Sequence, residues 1–254
     1  MRIILCGFGV VGQSFARLLI SRSDDLYARY GLKPRIVGIC DRNGSAVDAS
    51  GLDINRLIQI KKQYNSVKKY AKTNNNISGI NMINDLEADV LIETTESNYK
   101  DAEPGMSHII SAMKRKMHVI SVNKGPLALA FPSLMELATY NQVMLRFSGT
   151  VGGGTPILDY AKNSLSGERI LSFQGILNGT TNFILSSMQI NKRKFSEVLD
   201  RAKKLGFAEN NPISDLNGND SAAKLRILSS IAFNKTISKN KILTEGIQNI
   251  NLTD

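Results

Sequence analysis

Arg2-Ile-Ile-Leu-Cys-Gly-Phe-Gly-Val-Val-Gly12 opens the chain, and its reading governs the rest. An apolar run of strand-forming residues, 2–6, stops at glycines spaced G-x-G-x-x-G: Gly7, Gly9 and Gly12. Alone that pattern is weak. Here it follows a strand and opens an amphipathic helix, in which Val11, Phe15, Leu18 and Leu19 recur at helical spacing. Gly7 permits the tight turn, Gly9 lets the backbone approach a pyrophosphate, and Gly12 lets helix and strand pack closely. The helix N-terminus offers free N–H groups and a positive dipole end to phosphates. A dinucleotide site on Gly7, Phe8, Gly9, Val10, Val11 and Gly12 follows; the plainer alternative is a tight turn and nothing more.

Outward from that motif, apolar runs predict strands at 2–6, 35–40, 89–92, 117–122 and 143–148. Helical patterns lie between them. Met106, Ile109, Ile110 and Met113 form one, and Lys114, Arg115 and Lys116 suit its last turn. Alternating elements imply an α/β fold, a Rossmann-type parallel sheet with helices on both faces. Tyr70 to Asn81, with Asn74-Asn75-Asn76, reads as loop. Gly149, Gly152, Gly153 and Gly154, ending at Pro156, mark a change of style. The junction is placed within 130–150, dividing an N-terminal dinucleotide domain, 1–145, from a second α+β domain, 146–254. In the latter, 170–178 reads as strand, and 180–190, 195–205 and 219–233 as helix.

Asp41 closes the second strand and could accept a hydrogen bond from an adenosine ribose; Arg42 could instead meet a 2′-phosphate. The reading leans to NADP and leaves NAD open, with Lys61 and Lys62 either adding charge there or lying on an exposed helix face. Glu93-Thr94-Thr95-Glu96 follows the third of these strands, where ligands bind in such sheets, so Thr94 and Thr95 could contact a nicotinamide ribose or form a polar loop.

Composition narrows the classes. With 42% hydrophobic and 21% charged residues the chain reads as globular, and no apolar run is long enough for a bilayer. The first apolar run is too short for an export signal, so a cytoplasmic protein is expected. Cys6 and Cys40 read as core residues rather than a disulfide framework, and His108 and His118 do not pair with them at zinc spacing. The net charge is +10, but Trp is lacking and no aromatics interleave the lysines. That favours solvated helix faces and a mild pull on an anionic ligand over nucleic-acid binding.

Alcohol oxidation needs a group to take the hydroxyl proton. Both histidines and both cysteines lie in the dinucleotide half, which leaves lysines and carboxylates. Lys124 ends Ser121-Val-Asn-Lys124 after the fourth strand. Asp220 and Lys224 share a helix face at i, i+4, and spacing alone would make them a surface ion pair.

Three blocks then carry a resemblance: Val151-Gly-Gly-Gly-Thr-Pro-Ile-Leu158, Gly175-Ile-Leu-Asn-Gly-Thr-Thr-Asn-Phe-Ile-Leu185, and Leu205-Gly-Phe-Ala-Glu209 followed by Asp215-Leu-Asn-Gly-Asn-Asp220 and Lys224. In order and spacing they resemble homoserine dehydrogenases, over nearly the whole chain. The resemblance implies NAD(P)-dependent reduction of aspartate 4-semialdehyde and a homodimer. It makes Lys224 the proton-exchanging group, with Asp220 positioning it and Lys124 near the nicotinamide and the reacting oxygen. Glu209 and Asp215 would hold the substrate, and the turn Gly179-Thr180-Thr181-Asn182 would meet its carboxylate. A monovalent cation such as sodium would sit on the backbone of Val151, Gly153 and Thr155, although Ser148 stands where some members carry a glutamate. Family members usually continue past Asp254, so the second domain is expected to be incomplete. Two rivals remain: an oxidoreductase of another small polar substrate, and an inactive dinucleotide-binding protein.

Overall fold

Ile3, Ile4, Leu5 and Cys6 are all buried, as a strand covered on both faces requires. In the computed structural model, which describes residues 1–70, 77–209 and 211–251, they form the middle of the sheet. The chain divides into two compact units, Met1–Thr150 and Val151–Asp254.

The first unit runs β1 (Arg2–Cys6), α1 (Val10–Ser21), α2 (Ser23–Tyr30), β2 (Arg35–Asp41), β3 (Gly44–Val47), α3 (Ile54–Tyr64), α4 (Gly79–Asp85), β4 (Val90–Glu93), α5 (Gly105–Lys114), β5 (His118–Ser121), α6 (Lys124–Tyr140) and β6 (Leu145–Arg146). Its sheet has the order β3-β2-β1-β4-β5-β6. Every pairing is parallel except β2 with β3. Alternation along the strands sorts the core: Ile3, Leu5, Val90 and Ile92 pack with Phe8, Ala16 and Leu57 on one face. By the same alternation Ile4, Cys6, Leu91 and Glu93 turn to the other.

Several expectations shift. β3 was not foreseen, and its hairpin with β2 makes the sheet mixed rather than wholly parallel. The strand expected over 143–148 shrinks to Leu145–Arg146, because Ser148–Thr150 turns and Thr150 donates from N and Oγ1 to Phe147 O at 2.9 and 2.7 Å. That turn completes the first unit, so the division falls after Thr150 rather than after 145. The loop expected over Tyr70–Asn81 ends early: α4 starts at Gly79, capped by Ser78, whose hydroxyl accepts from Asn81 N at 3.2 Å. Asn74, Asn75 and Asn76 lie outside the described residues.

The second unit carries α7 (Ile157–Asp159) continuing into a π-turn, then α8 (Gly179–Asn191), α9 (Phe195–Lys204), α10 (Ile213–Leu216) and α11 (Asn219–Ala232). Its core joins Ile184 and Met188 of α8 to Val198 and Ala202 of α9, with Ala208 and Leu216. The strand expected over 170–178 does not form: a strand needs a neighbour's N–H and C=O groups, and none of the described residues pairs with it. Among the described residues no helix is long and apolar enough to cross a membrane.

Candidate functional site

In the first unit, β1 and β4 lie side by side and their connections leave in opposite directions along the sheet, the point at which such sheets bind ligands. Gly7 holds φ +94° there, and a Cβ on it would stand 2.5 Å from the Thr94 carbonyl carbon. A Cβ on Gly12 would come 2.2 Å from Gly7 O, so helix and loop touch through bare backbone. A Cβ on Gly9 would meet nothing within 4 Å. Gly7 and Gly12 therefore close the turn, while Gly9 faces open space beside the α1 N-terminus, the shape a pyrophosphate needs. Val10 is 84% exposed, and Phe8 is buried beneath the loop.

The loop after β4 is tied to this turn. Thr94 Oγ1 donates to Gly7 O at 2.7 Å and lies 3.1 Å from Cys6 O. Thr95 donates from both N and Oγ1 to Glu93 Oε1, and its hydroxyl accepts from Asn123 Nδ2 at 3.0 Å. Asn123 caps α6 through Gly125 N, and Lys124 N donates to Ser97 Oγ at 2.9 Å. The start of α6, which carries Lys124, is thus fastened to the loop of Thr94 and Thr95.

Asp41 is not placed as a ribose acceptor. Its carboxylate, 4% exposed, receives Lys61 Nζ at 2.8 Å, Val67 N at 2.9 Å and Asn43 N at 2.9 Å. Lys61 is therefore a partner of Asp41 and not part of an exposed helix face. Arg42 beside it is 83% exposed and meets Glu96 at 2.6 Å.

The second unit gathers its own polar group. Lys224 Nζ lies 2.7 Å from Asp220 Oδ2 and donates to Leu177 O at 2.7 Å. Asn178 Nδ2 donates to Asp215 Oδ1 at 2.6 Å and to Asp220 Oδ2 at 3.1 Å. Asn178 Oδ1 accepts from Thr181 N at 2.8 Å, capping α8 at the turn of Gly179 and Thr180. Asp220 is buried, so the pair is not the surface ion pair that spacing alone implied. Thr180 Oγ1 donates to Phe207 O at 2.7 Å, and Phe207 stacks on Phe183 at 4.3 Å, which sets the turn before Glu209 against α8. Glu209 itself is exposed. In the loop of Val151, Gly153 and Thr155, Gly152 and Gly153 hold φ of +84° and +56°, and Thr155 O accepts from Ile157 N at 2.8 Å.

Sequence reading passed over Asn178. Its signal was an asparagine directly before a helical run, the N-cap position. It also passed over a buried group in the first unit, where Cys6, Glu93 and His108 meet. Burial alone would lower the His108 imidazole, but the hydrogen bond and charge of Glu93 outweigh it and hold it above its ordinary value. The Cys40 thiol lies below its ordinary value, chiefly through a hydrogen bond from Cys6, and the Cys6 thiol is correspondingly raised.

Comparison with known proteins bears on both units. Residues 156–254 match the family model described as homoserine dehydrogenase, and residues 1–103 match one described as glutamate/leucine/phenylalanine/valine dehydrogenase. The homoserine dehydrogenase of Methanocaldococcus jannaschii is 40% identical over 252 residues, covering 98% of this chain and 74% of that protein. The NAD(+)-dependent homoserine dehydrogenase of Pseudomonas canavaninivorans is 34% identical, covering 100% of this chain and 72% of its own length. The crystal structure of homoserine dehydrogenase from Thermoplasma acidophilum superposes with a TM-score of 0.84 at 29% identity, over 99% of this chain and 76% of that one.

Proposed function

This chain belongs to the homoserine dehydrogenase family, and from that premise we propose that it reduces L-aspartate 4-semialdehyde reversibly to L-homoserine with NAD(P)H. The observation that carries the reading is the linked group Lys224–Asp220–Asn178–Asp215, built from the blocks that carried the resemblance.

The nicotinamide, when bound, supplies hydride for reduction and takes it back for oxidation. The chain's own residues do the rest. The Gly7–Gly12 turn and the α1 N-terminus hold the pyrophosphate by backbone N–H groups. Thr94, Thr95 and Lys124 edge the nicotinamide end. Lys224 Nζ donates a proton to the carbonyl oxygen in reduction and takes it back in oxidation. Asp220 and Leu177 O fix the direction of that amine, and Asn178 fixes Asp220. Asp215 and Glu209 hold the substrate ammonium, while the N–H groups at Gly179 and Thr180 receive its carboxylate. Lys124 steadies negative charge on the reacting oxygen.

For the adenosine end we favour NADP. Asp41 has its oxygens occupied by Lys61, Val67 N and Asn43 N, whereas the exposed Arg42 offers a planar cation to a 2′-phosphate. The same reading carries a monovalent cation on the carbonyls of Val151, Gly153 and Thr155, and a homodimer; the cation would share Thr155 O with Ile157 N.

The test is oxidation of NADPH and of NADH by the purified chain with aspartate 4-semialdehyde. Turnover with that aldehyde, and little with aldehydes lacking the α-amino or α-carboxylate group, is expected. Dinucleotide binding without turnover would overturn the assignment in favour of a binding protein.

A further inference from the structure

Four side chains that this reaction does not use converge inside the first unit. Cys6 pairs with Cys40 of β2 on one side and with Glu93 of β4 on the other, so the three occupy one row across the sheet. Helix α5 brings His108 to the same place, with Nδ1 2.7 Å from Glu93 Oε2. The ligand atoms of Cys6, Glu93 and His108 all lie within 4.8 Å of one another, and all three residues are buried. Cys40, paired in register with Cys6, stands beside this group and outside the 4.8 Å set. Gly79 shows how tightly the group is enclosed: a Cβ there would stand 2.6 Å from His108 Nε2 and 3.0 Å from Cys40 Sγ.

We propose that Cys6, Cys40, Glu93 and His108 form a closed tetrahedral site for a zinc-class divalent cation. Two sulfurs, one imidazole nitrogen and one carboxylate oxygen are a borderline-to-soft donor set. It suits zinc, and it does not suit magnesium or calcium, which take oxygen ligands. Zinc–sulfur bonds of about 2.3 Å and zinc–nitrogen or –oxygen bonds of about 2.0–2.1 Å put neighbouring ligand atoms roughly 3–4 Å apart. The ligand atoms of Cys6, Glu93 and His108 lie within 4.8 Å of one another, the Glu93–His108 pair would open from its 2.7 Å hydrogen bond, and the Cys40 thiol would turn in from the neighbouring strand to complete the set. The ion takes the place of the proton between Glu93 and His108, and the thiol protons pass to solvent. An outer shell already orients the carboxylate: Glu93 Oε1 accepts from Thr95 N, and the Thr95 hydroxyl accepts from Asn123. Four protein ligands leave no open position, so the site is structural and not catalytic. Its place gives it a consequence. Cys6, Cys40 and Glu93 directly precede Gly7, Asp41 and Thr94, so the ion would tie together the three strand ends from which the dinucleotide loops spring.

The experiment uses the reduced, chelator-treated chain titrated with cobalt(II) and then zinc(II). One ion per chain is expected, with the intense ligand-field bands of tetrahedral cobalt and a thiolate-to-metal charge-transfer band, both erased by zinc. The unfolding midpoint should rise with zinc concentration, because an ion held only by the folded state stabilises it. The Cys6→Ser/Cys40→Ser double variant should lose the charge-transfer band and the one-ion stoichiometry. A weak octahedral spectrum, or a double variant that binds as before, would overturn the proposal. X-ray absorption of the zinc-loaded, unaltered chain decides the matter independently of whether variants fold: a mixed sulfur and nitrogen/oxygen shell is expected, and a shell without sulfur refutes it.

Discussion

Lys61 and Asp41 meet at 2.8 Å in the first unit, and Lys224 and Asp220 meet at 2.7 Å in the second. The two pairs are alike in more than length. Both aspartates are shielded from solvent, and each lysine also donates to a backbone carbonyl, Asn65 O or Leu177 O. They differ in what else reaches the carboxylate. Asp41 is closed off chiefly by backbone N–H groups of Val67 and Asn43, with the Ser66 hydroxyl farther off at 3.5 Å, so the pair pins two loops to a strand end. Asp220 is reached by the side chain of Asn178, whose amide also holds Asp215. A buried ion pair's length says little about its role, because desolvation offsets much of the attraction in either case. What separates a clamp from a reacting pair is whether its remaining neighbours are fixed backbone or further functional side chains.

That contrast can be broken in stages. The largest effect is expected from Lys224→Ala, which should lower kcat by roughly 10²–10⁴, the usual worth of a positioned proton-transfer group, with dinucleotide affinity kept in a fluorescence titration. Near-normal turnover would remove Lys224 from the chemistry. Lys61→Met should act on stability instead. It leaves Asp41 without its cation, and urea unfolding should show a loss of about 3 kcal/mol, the lower range for breaking a buried pair. A smaller loss of stability than Lys224→Ala produces would reverse the roles assigned to the two pairs. Asn178 lies between these cases because it both caps α8 and bridges two aspartates. Asn178→Ala should cost about 1 kcal/mol of stability from the lost cap. Asn178→Ser restores a capping oxygen but is too short to reach both carboxylates. It should regain the stability and still turn over about tenfold more slowly, with KM little changed. Full recovery of kcat in the serine variant would reduce Asn178 to a cap.

How much of this could be read beforehand depended on how far apart in sequence the cooperating residues lie. β1, its glycines and α1 were legible because the apolar run, the tight turn and the helical spacing are consecutive. β3 escaped because Gly44-Ser-Ala-Val47 is short and lacks an apolar rhythm; it forms through its hairpin with β2. Ile170 to Asn178 misled in the opposite sense, being apolar enough for a strand but lacking a partner among the described residues. In the second unit, the spacing of Asp220 and Lys224 was visible on one helix face. Their burial was not, since Leu177 and Asn178 arrive from before α8. The occupation of Asp41 depended on Lys61 and Val67, and the meeting of Cys6, Glu93 and His108 on three separate elements. Motif spacing reports neighbours along the chain, and these sites are made by neighbours across the sheet.

The smallest expected effect sharpens the comparison at the strand end itself. If Asp41 is a clamp, the residue left to read the adenosine ribose is Arg42, whose guanidinium meets the exposed carboxylate of Glu96. Such a surface pair contributes little to stability, so Arg42→Ala should leave the unfolding midpoint nearly unchanged. A guanidinium hydrogen bond to a charged phosphate is worth about 1.5 kcal/mol or more, which corresponds to a rise of roughly tenfold in KM for NADPH. NADH lacks the 2′-phosphate, and its KM should stay within about twofold. Equal losses for both cofactors would mean that Arg42 holds the loop rather than the phosphate, and Asp41 would return as the candidate ribose contact despite its occupied oxygens.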